Sequence, residues 1–196
     1  MEKGKLIVLY GINNLGKTTQ AKLILEKILE NNKKAEYIKY PMYDFSTAGP
    51  VINKYLREGN PYNLSPREFQ ILNVLNRTQY QSVLKEKLSS GINIIAEDYT
   101  GTGIAWGIGA GVNESFLLEL NKDLIKEDLS ILMDGKRFLE GKESGHTHEE
   151  DDELTKKVRE AHLKLSKSFD WEVINANRDI DTVHKEVWEK VSKILY

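Results

Sequence analysis

Residues 11–18, GINNLGKT, match the phosphate-loop pattern G-x-x-x-x-G-K-[ST] at every fixed position. Residues 5–10 before them form a short apolar run that predicts a buried parallel strand. Residues 19–31 after them repeat apolar side chains at helical spacing. A glycine loop between a strand and a helix aims backbone N–H groups into a nest that holds a polyphosphate. The alternative, a glycine turn that happens to precede Lys-Thr, would require neither flanking element.

The residue types within this loop predict separate roles. Gly11 and Gly16 allow the tight turn, the Lys17 ammonium places a positive charge between the β- and γ-phosphates, and the Thr18 hydroxyl is a ligand for Mg²⁺. Contacts to the nucleotide are expected from Gly11, Asn13, Asn14, Leu15, Gly16, Lys17, Thr18 and Thr19, and from Arg137 further along the chain.

Composition narrows the class of protein. The chain has 196 residues, of which 40% are hydrophobic and 30% charged, so it can bury the core of one domain. A formal net charge of −2 argues against a nucleic acid or an anionic membrane as partner. The absence of cysteine excludes disulfides, thiolate metal sites and cysteine nucleophiles. No apolar run approaches ~18 residues and the first strand leaves no room for a signal peptide, so we expect a cytoplasmic protein.

Strand and helix patterns alternate along the chain. The predicted strands are residues 5–10, 35–40, 92–98, 129–133 and 171–175. The predicted helices are residues 19–31, 50–57, 66–88, 154–167 and 180–195, with Ser65 as the cap of the third. This alternation predicts an α/β fold with a doubly wound, five-stranded parallel sheet, formed by residues 1–196 as a single domain.

The strand at residues 92–98 ends in Glu97 and Asp98. Two acids at the carboxyl end of a strand, opposite a phosphate loop, are typical of a strand that holds Mg²⁺ directly or through water. The alternative is a solvated turn. The glycine-rich residues 99–111 that follow predict either a flexible loop or, because they include Tyr99, Thr102 and Trp106, the wall of a pocket.

Residues 134–152 are strongly polar and predict a lid that closes over the phosphates with a cation, since phosphoryl transfer requires water to be excluded. A solvated loop is the alternative. His146 and His148 also suggest a metal site, but no third ligand stands at a defined spacing from them. The segment includes Lys136, Arg137, Lys142, His146 and His148.

Taken together, these motifs resemble the thymidylate kinase family of phosphate-loop nucleoside monophosphate kinases. The resemblance extends over the whole chain and is carried by the order and spacing of Thr19-Gln20, Tyr40-Pro41, Gly49, Tyr55-Leu56, Asn76-Arg77, Glu97-Asp98-Tyr99, Thr102-Gly103, Ala105-Trp106, Lys157-Val158-Arg159, Asn175-Ala176 and Val183-His184. It implies transfer of the γ-phosphoryl group of ATP to dTMP with Mg²⁺, a five-stranded sheet, a lid, small nucleotides as substrates, and a homodimer.

The resemblance also implies roles for individual residues. The catalytic residues are expected to be Lys17, Glu97, Asp98 and Arg137, with Lys142 or Arg159 as a further lid-side charge, and the Mg²⁺ ligands Thr18 and Glu97. The acceptor nucleotide is expected to contact Pro41, Tyr43, Asn73, Arg77, Asp98, Tyr99, Thr102 and Trp106.

Several residues depart from the family pattern. Tyr10 and Asn13 replace acids before and within the loop, and Tyr43 with Asp44 stands where the family has the arginine of Phe-Pro-x-Arg. Asp98 replaces an arginine that holds the acceptor phosphate. At ~4 Å two unit charges interact by roughly 4 kcal/mol at an effective dielectric near 20, so another cation compensates or the acceptor differs. Arg57, Arg67 and Arg77 are the candidates.

Asn73 stands in place of the phenylalanine on which thymine stacks in the family, one helical turn before Arg77. We expect weaker binding of dTMP, with Asn73 hydrogen-bonding the base and Tyr43, Phe69 or Trp106 as a replacement wall. The alternative is that Asn73 faces solvent at a shifted helix register.

Two other functions remain open at this point. A nucleotide-binding regulatory protein would keep the loop and lose transfer, and the missing acceptor arginines favour it. Another small phosphate-loop enzyme, such as a nucleoside kinase or a GTPase, is the second, although the chain lacks the Asn-Lys-x-Asp guanine motif of GTPases.

Overall fold

Five short strands pair side by side in one parallel sheet in this computed structural model, which describes residues 3–138 and 152–196. The strands are β1 (Leu6–Tyr10), β2 (Ala35–Lys39), β3 (Asn93–Glu97), β4 (Leu129–Asp134) and β5 (Glu172–Asn175). Their order across the sheet is β2-β3-β1-β4-β5, and every neighbouring pair is parallel. The predicted five-stranded parallel sheet is confirmed.

Helices connect the strands and cover the sheet. In the described ranges they are α1 (Lys17–Glu30), α2 (Ala48–Arg57), α3 (Pro66–Ser89), α4 (Thr100–Gly109), α5 (Glu114–Asn121), α6 (Asp152–Ser168) and α7 (Ile180–Leu195). None of these helices is both long and apolar enough to cross a membrane. Lys142, His146 and His148, with most of the predicted lid, lie outside the described residues.

The central strand β1 explains why the sheet is covered on both faces. All five of its side chains are buried, as expected for a parallel strand between two helical layers. Ile7 and Leu9 pack into one core, whereas Leu6, Val8 and Tyr10 pack into the other. Because strand side chains alternate between faces, one apolar run supplies both cores and places its carboxyl end at the phosphate loop.

Two helices begin in ways that matter for the site. Ser65 caps α3 in a capping box with Glu68, and Pro66 occupies the first turn, so the predicted start of this helix is confirmed. Helix α1, in contrast, begins after Gly16 at φ 78° with no side-chain cap. Its first N–H groups are therefore available to a ligand at the helix N-terminus.

The interpretation of residues 99–111 as a flexible loop is wrong, because most of them form α4. Its glycines allow close packing: a Cβ on Gly101 would lie 2.4 Å from the Trp171 ring, and one on Gly103 would lie 2.7 Å from the Arg77 guanidinium. This packing outweighs the low helix propensity of glycine. The short helix α5, capped by Asn113, was not predicted.

Candidate active site

One cleft of about 710 Å³ opens at the carboxyl ends of the strands, where open parallel sheets bind ligands. The phosphate loop, after the central strand, lies in its middle. We call the part next to β5 the β5 side; it is lined by Phe138, Ala176, Arg178, Asp179, Ile180 and Val183. We call the part next to β2 and β3 the β2 side; it is lined by Pro41, Tyr43, Arg57, Phe69, Asn73, Arg77, Thr102 and Trp106, among others.

The lysine of the phosphate loop forms hydrogen bonds with the backbone of the same loop. The buried Lys17 ammonium donates to the carbonyl oxygens of Gly11 and Ile12, each at 2.9 Å, and lies 3.8 Å from Asp98 Oδ1. Gly11 has φ 136°, and a Cβ there would lie 2.4 Å from the Met133 carbonyl oxygen. Gly11 therefore shapes the turn behind the cleft, whereas all seven predicted contact residues from Asn13 to Thr19 line it.

Glu97 is the centre of a hydrogen-bond cluster at the end of β3. Its Oε2 accepts from Thr18 Oγ1 and from the Tyr37 hydroxyl, each at 2.7 Å, and its Oε1 lies 2.8 Å from Lys39 Nζ. Burial opposes the charged form of Glu97, but Lys17 and Lys39 outweigh it and hold its pKa below the ordinary value. The carboxylate is thus ionised beside the Thr18 hydroxyl.

Asp98 follows in the left-handed region, with φ 59°. Its Oδ1 accepts a 2.8 Å hydrogen bond from Thr102 Oγ1 and faces Lys17. Burial raises the pKa of Asp98, and the nearby charge of Glu97 adds to the shift, although Lys17 opposes it. The acid that replaces the family arginine is therefore paired with the loop lysine.

Asn73 and Arg77 lie one turn apart on α3 and both line the β2 side. Asn73 is only 7% exposed, so the alternative that it faces solvent is wrong. One N–H of its Nδ2 donates to the Phe69 carbonyl oxygen at 2.9 Å, and the amide also carries a second N–H and the acceptor Oδ1. Arg77 is 4% exposed, and its Nη1 lies 3.5 Å from Asn121 Oδ1. Burial lowers the pKa of Arg77.

Two predicted site residues lie elsewhere. Tyr99 is buried against Tyr40, with ring centroids 5.1 Å apart, and does not line the cleft. Arg137 also stays outside the lining and lies 3.4 Å from Thr155 Oγ1 through its Nη1. Its neighbour Phe138 lines the β5 side instead, anchored by a 2.9 Å bond from its N–H to the Asn14 carbonyl oxygen.

The three arginines that could compensate for the negative charge of Asp98 do not all lie in the cleft. Arg57 and Arg77 line the β2 side, whereas Arg67 stacks on the Phe116 ring at 4.1 Å and is not part of the cleft lining. Arg159 forms a two-pronged pair with Asp134, at 2.7 and 2.9 Å.

Lys39 and Tyr37 were not predicted as site residues. Lys39 is the last residue of β2 and directly precedes Tyr40-Pro41. The rule that carboxyl ends of parallel strands meet at one edge would have indicated it, because β2 pairs with β3 in a register that sets Lys39 against Glu97.

The donors at the loop fit a magnesium ion held jointly with a nucleotide. Thr18 and Glu97 supply hard oxygen ligands 2.7 Å apart at the start of α1. No cluster of three or more His, Asp or Glu side chains that could hold a metal ion exists within residues 3–138 and 152–196. Two protein oxygens suit Mg²⁺, which takes one or two protein ligands and completes its shell with phosphate and water.

A phosphate loop with an acid pair beside it, and one cleft with room for a ligand on each side, define a phosphate-loop kinase of small molecules. The model of the thymidylate kinase family matches residues 9–187. The chain therefore belongs to the thymidylate kinase family, whose members are phosphotransferases that use ATP as the phosphate donor.

Individual relatives agree with this assignment. The chain is 29% identical to thymidylate kinase of Plasmodium falciparum, over 98% of this chain and 92% of the relative. It is 30% identical to thymidylate kinase of Danio rerio, again over 98% and 92% of the two chains. The solved structure of thymidylate kinase from Candida albicans matches with a TM-score of 0.82 at 25% identity, over 97% and 92% of the chains. The predicted family and fold are confirmed.

Proposed function

We propose that this protein transfers the γ-phosphoryl group of ATP to dTMP, giving dTDP and ADP. The observation that carries the proposal is the placement of Lys17, Thr18, Glu97 and Asp98 between the two sides of one cleft. A donor on one side and an acceptor on the other would meet at this group. Membership of the thymidylate kinase family supports the same assignment and disfavours the regulatory protein and the GTPase.

The donor nucleotide would lie on the β5 side. The backbone of residues 13–18 would surround its phosphates, and the uncapped start of α1 would add N–H donors. The base would then reach residues 176–183. Gln20 holds that segment in place, because its Nε2 donates to the Ile180 carbonyl oxygen at 3.1 Å.

Thr18 and Glu97 would hold Mg²⁺ with the donor phosphates. When bound, the ion neutralises phosphate charge that the protein alone cannot balance. Glu97 suits this task, because it is ionised and already oriented by Thr18 and Tyr37. Burial and the bond to Glu97 raise the pKa of Tyr37, which therefore remains a hydrogen-bond donor.

The acceptor base would lie on the β2 side, between the aromatic side chains Tyr43, Phe69 and Trp106. Arg77 supplies donors and Asn73 Oδ1 an acceptor from the same face of α3. An acceptor phosphate oriented from there toward Asp98 would approach the γ-phosphorus of the donor. Lys17 would remain on the donor side of that meeting point.

A coupled ADP-release assay across the common nucleoside monophosphates and nucleosides tests the proposal. We expect ADP release with ATP and dTMP, and none with thymidine. Turnover of thymidine but not dTMP would make the protein a nucleoside kinase. Absence of turnover with every acceptor, while ATP still binds, would favour the regulatory protein.

We further propose that two copies associate. Ile71 and Leu75, on one face of α3, are apolar and more than 40% exposed, at 43% and 41%, which a second copy would cover. Light scattering at micromolar concentration tests this, and a mass of 22.5 kDa would contradict it.

A further inference from the structure

The charge beside the acceptor position raises a specific problem. Lys17 and Lys39 carry two positive charges, and Glu97 and Asp98 carry two negative ones, within a single cluster. An acceptor phosphate brings roughly −1.5 to −2 charges at neutral pH. Because Asp98 repels that phosphate and Lys17 is turned toward the loop, the site requires a cation that can face the β2 side.

The arginines of the β2 side are engaged in other contacts. Arg77 is buried in the wall beside Asn121 and Gly103, one turn from Asn73. Arg57 donates through Nε to Asn53 at 3.0 Å and lies over the Tyr43 ring at 5.8 Å. Both are placed to contact the nucleoside part of an acceptor.

Lys39 has the position and the freedom that the task requires. It lines the cleft, and its side chain is 51% exposed although its ammonium lies 2.8 Å from Glu97 Oε1. An ammonium has three donors, and Glu97 takes one of them. The flexible four-carbon stem allows the charge to move by some ångströms.

Glu97 has hydrogen-bond partners other than Lys39. Its Oε2 still accepts from Thr18 and Tyr37, so the carboxylate keeps two hydrogen bonds if Lys39 turns away. We propose that Lys39 is the cation that binds the phosphate of the acceptor nucleotide, in place of an arginine at position 98. This inference rests on the proposed function and assigns a substrate-binding role to a residue at the end of β2.

Binding measured without ATP or Mg²⁺ isolates this role. Dissociation constants for dTMP and for thymidine are compared in the wild type, Lys39→Gln and Lys39→Arg. We expect Lys39→Gln to weaken dTMP binding about 10-fold to 100-fold, the range for one hydrogen bond to a charged group, and to leave thymidine binding within about twofold. Lys39→Arg should restore most of the loss. KM for ATP should change little.

Lys54→Gln is the matched control, because Lys54 is exposed near the end of α2 and does not line the cleft. An unchanged ratio of the two constants in Lys39→Gln would overturn the proposal, and so would an equal loss for both ligands, which indicates a structural role. If the ratio of the dissociation constants for thymidine and dTMP falls only in Arg57→Gln, Arg57 and not Lys39 binds the phosphate.

Failure of the proposed function gives a different result. If the wild type prefers another base, the nucleoside and monophosphate of that base replace thymidine and dTMP in the same comparison. The dTMP assignment then falls, while a collapsed ratio in Lys39→Gln still supports Lys39. If no monophosphate binds the wild type more tightly than its nucleoside, the role of Lys39 is overturned.

Discussion

The phosphate loop and the β2 side of the cleft would recognise their proposed ligands by different means. The loop uses backbone N–H groups whose directions are set by a few consecutive residues, such as Gly11 at φ 136° and Gly16 at φ 78°. The β2 side uses side chains from separate segments, such as Tyr43 before α2, Asn73 on α3 and Trp106 on α4. Recognition of phosphate would therefore depend on one short motif, whereas recognition of the acceptor would depend on tertiary packing.

This difference explains where the family pattern is kept and where it changes. A substitution in the loop alters the path of the backbone, so its fixed positions leave little choice. On the β2 side one side chain can be replaced if a neighbour compensates. Asp98 shows this, because Lys17 and Thr102 contact its carboxylate where the family has an arginine.

The largest effect is expected from Lys17→Ala. The change removes the ammonium that joins the Gly11 and Ile12 carbonyls and faces Asp98. We expect kcat to fall by at least about 100-fold to 1,000-fold, the cost of deleting one preorganised electrostatic group. Steady-state kinetics measures this, and circular dichroism checks the fold.

Lys22→Ala is the control, since Lys22 is exposed on the same helix. Normal turnover in a folded Lys17→Ala variant would contradict the proposed difference between the loop and the β2 side, because phosphate would then be recognised without the lysine of the motif.

The next effect tests tertiary packing on the β2 side through Gly103→Ala. The new methyl group would lie 2.7 Å from Arg77 Nη2, so the guanidinium must move. We expect KM for dTMP to rise about 10-fold to 100-fold, the scale for an ångström of misplacement, with KM for ATP nearly unchanged. Overpacking should also lower the free energy of unfolding by about 1–3 kcal/mol.

Gly109→Ala separates stability from binding, because a methyl group there would lie 2.6 Å from Val158 Cγ2 and away from Arg77. Its unfolding free energy should fall similarly while KM for dTMP stays normal. Parallel rises in both KM values for Gly103→Ala would mean that the two sides are not independent.

The same contrast describes how much the sequence predicts. The loop, Glu97 and the parallel sheet follow from local patterns, since apolar runs and glycine spacing are set by neighbours in the chain. Helix α4 was missed because its glycines are explained by packing against residues distant in sequence, such as Arg77, Val158 and Trp171. Arg137 was predicted to supply the charge of the lid, and it does not line the cleft, whereas its neighbour Phe138 does. Position in a motif does not fix the direction of a side chain.

The third prediction concerns the effect of pH on the stability of the protein. His162 on α6 is buried, and its Nδ1 lies 3.0 Å from the Val158 carbonyl oxygen. Burial, with repulsion from Lys17, lowers the pKa of His162 to about 3. In the unfolded chain a histidine takes up a proton near pH 6.5. The unfolded state therefore binds more protons below that pH, so stability falls as the pH decreases.

Between pH 7 and pH 5 we expect this histidine to lower the free energy of unfolding by about 2 kcal/mol. Urea unfolding at both pH values measures the loss, and His162→Gln should remove that part of it. An identical loss in the variant would show that the acid sensitivity arises elsewhere.

The smallest effect is expected from Asn73→Phe, which tests whether the β2 side tolerates the exchange of a single side chain in its lining. Asn73 lines the cleft and keeps Oδ1 and one N–H for a ligand, because the other N–H of Nδ2 donates to the Phe69 carbonyl oxygen. Stacking on an aromatic ring is worth ~1–3 kcal/mol per base in single-strand binding proteins. Tyr43, Phe69 and Trp106 already line this side, so we expect a gain of only about 1 kcal/mol, or about fivefold tighter dTMP binding.

The ranking of acceptor bases should change with it, because the phenylalanine removes the polar amide that Asn73 offers to a base. Asn73→Leu is the matched variant: it removes the amide without adding a ring, so it should lose base preference and gain no affinity for dTMP. If both variants leave affinity and ranking as in the wild type, Asn73 does not contact the base. Arg77 and the aromatic walls would then carry base selection by themselves, and the loss of the family phenylalanine would be a neutral exchange within a packed helix.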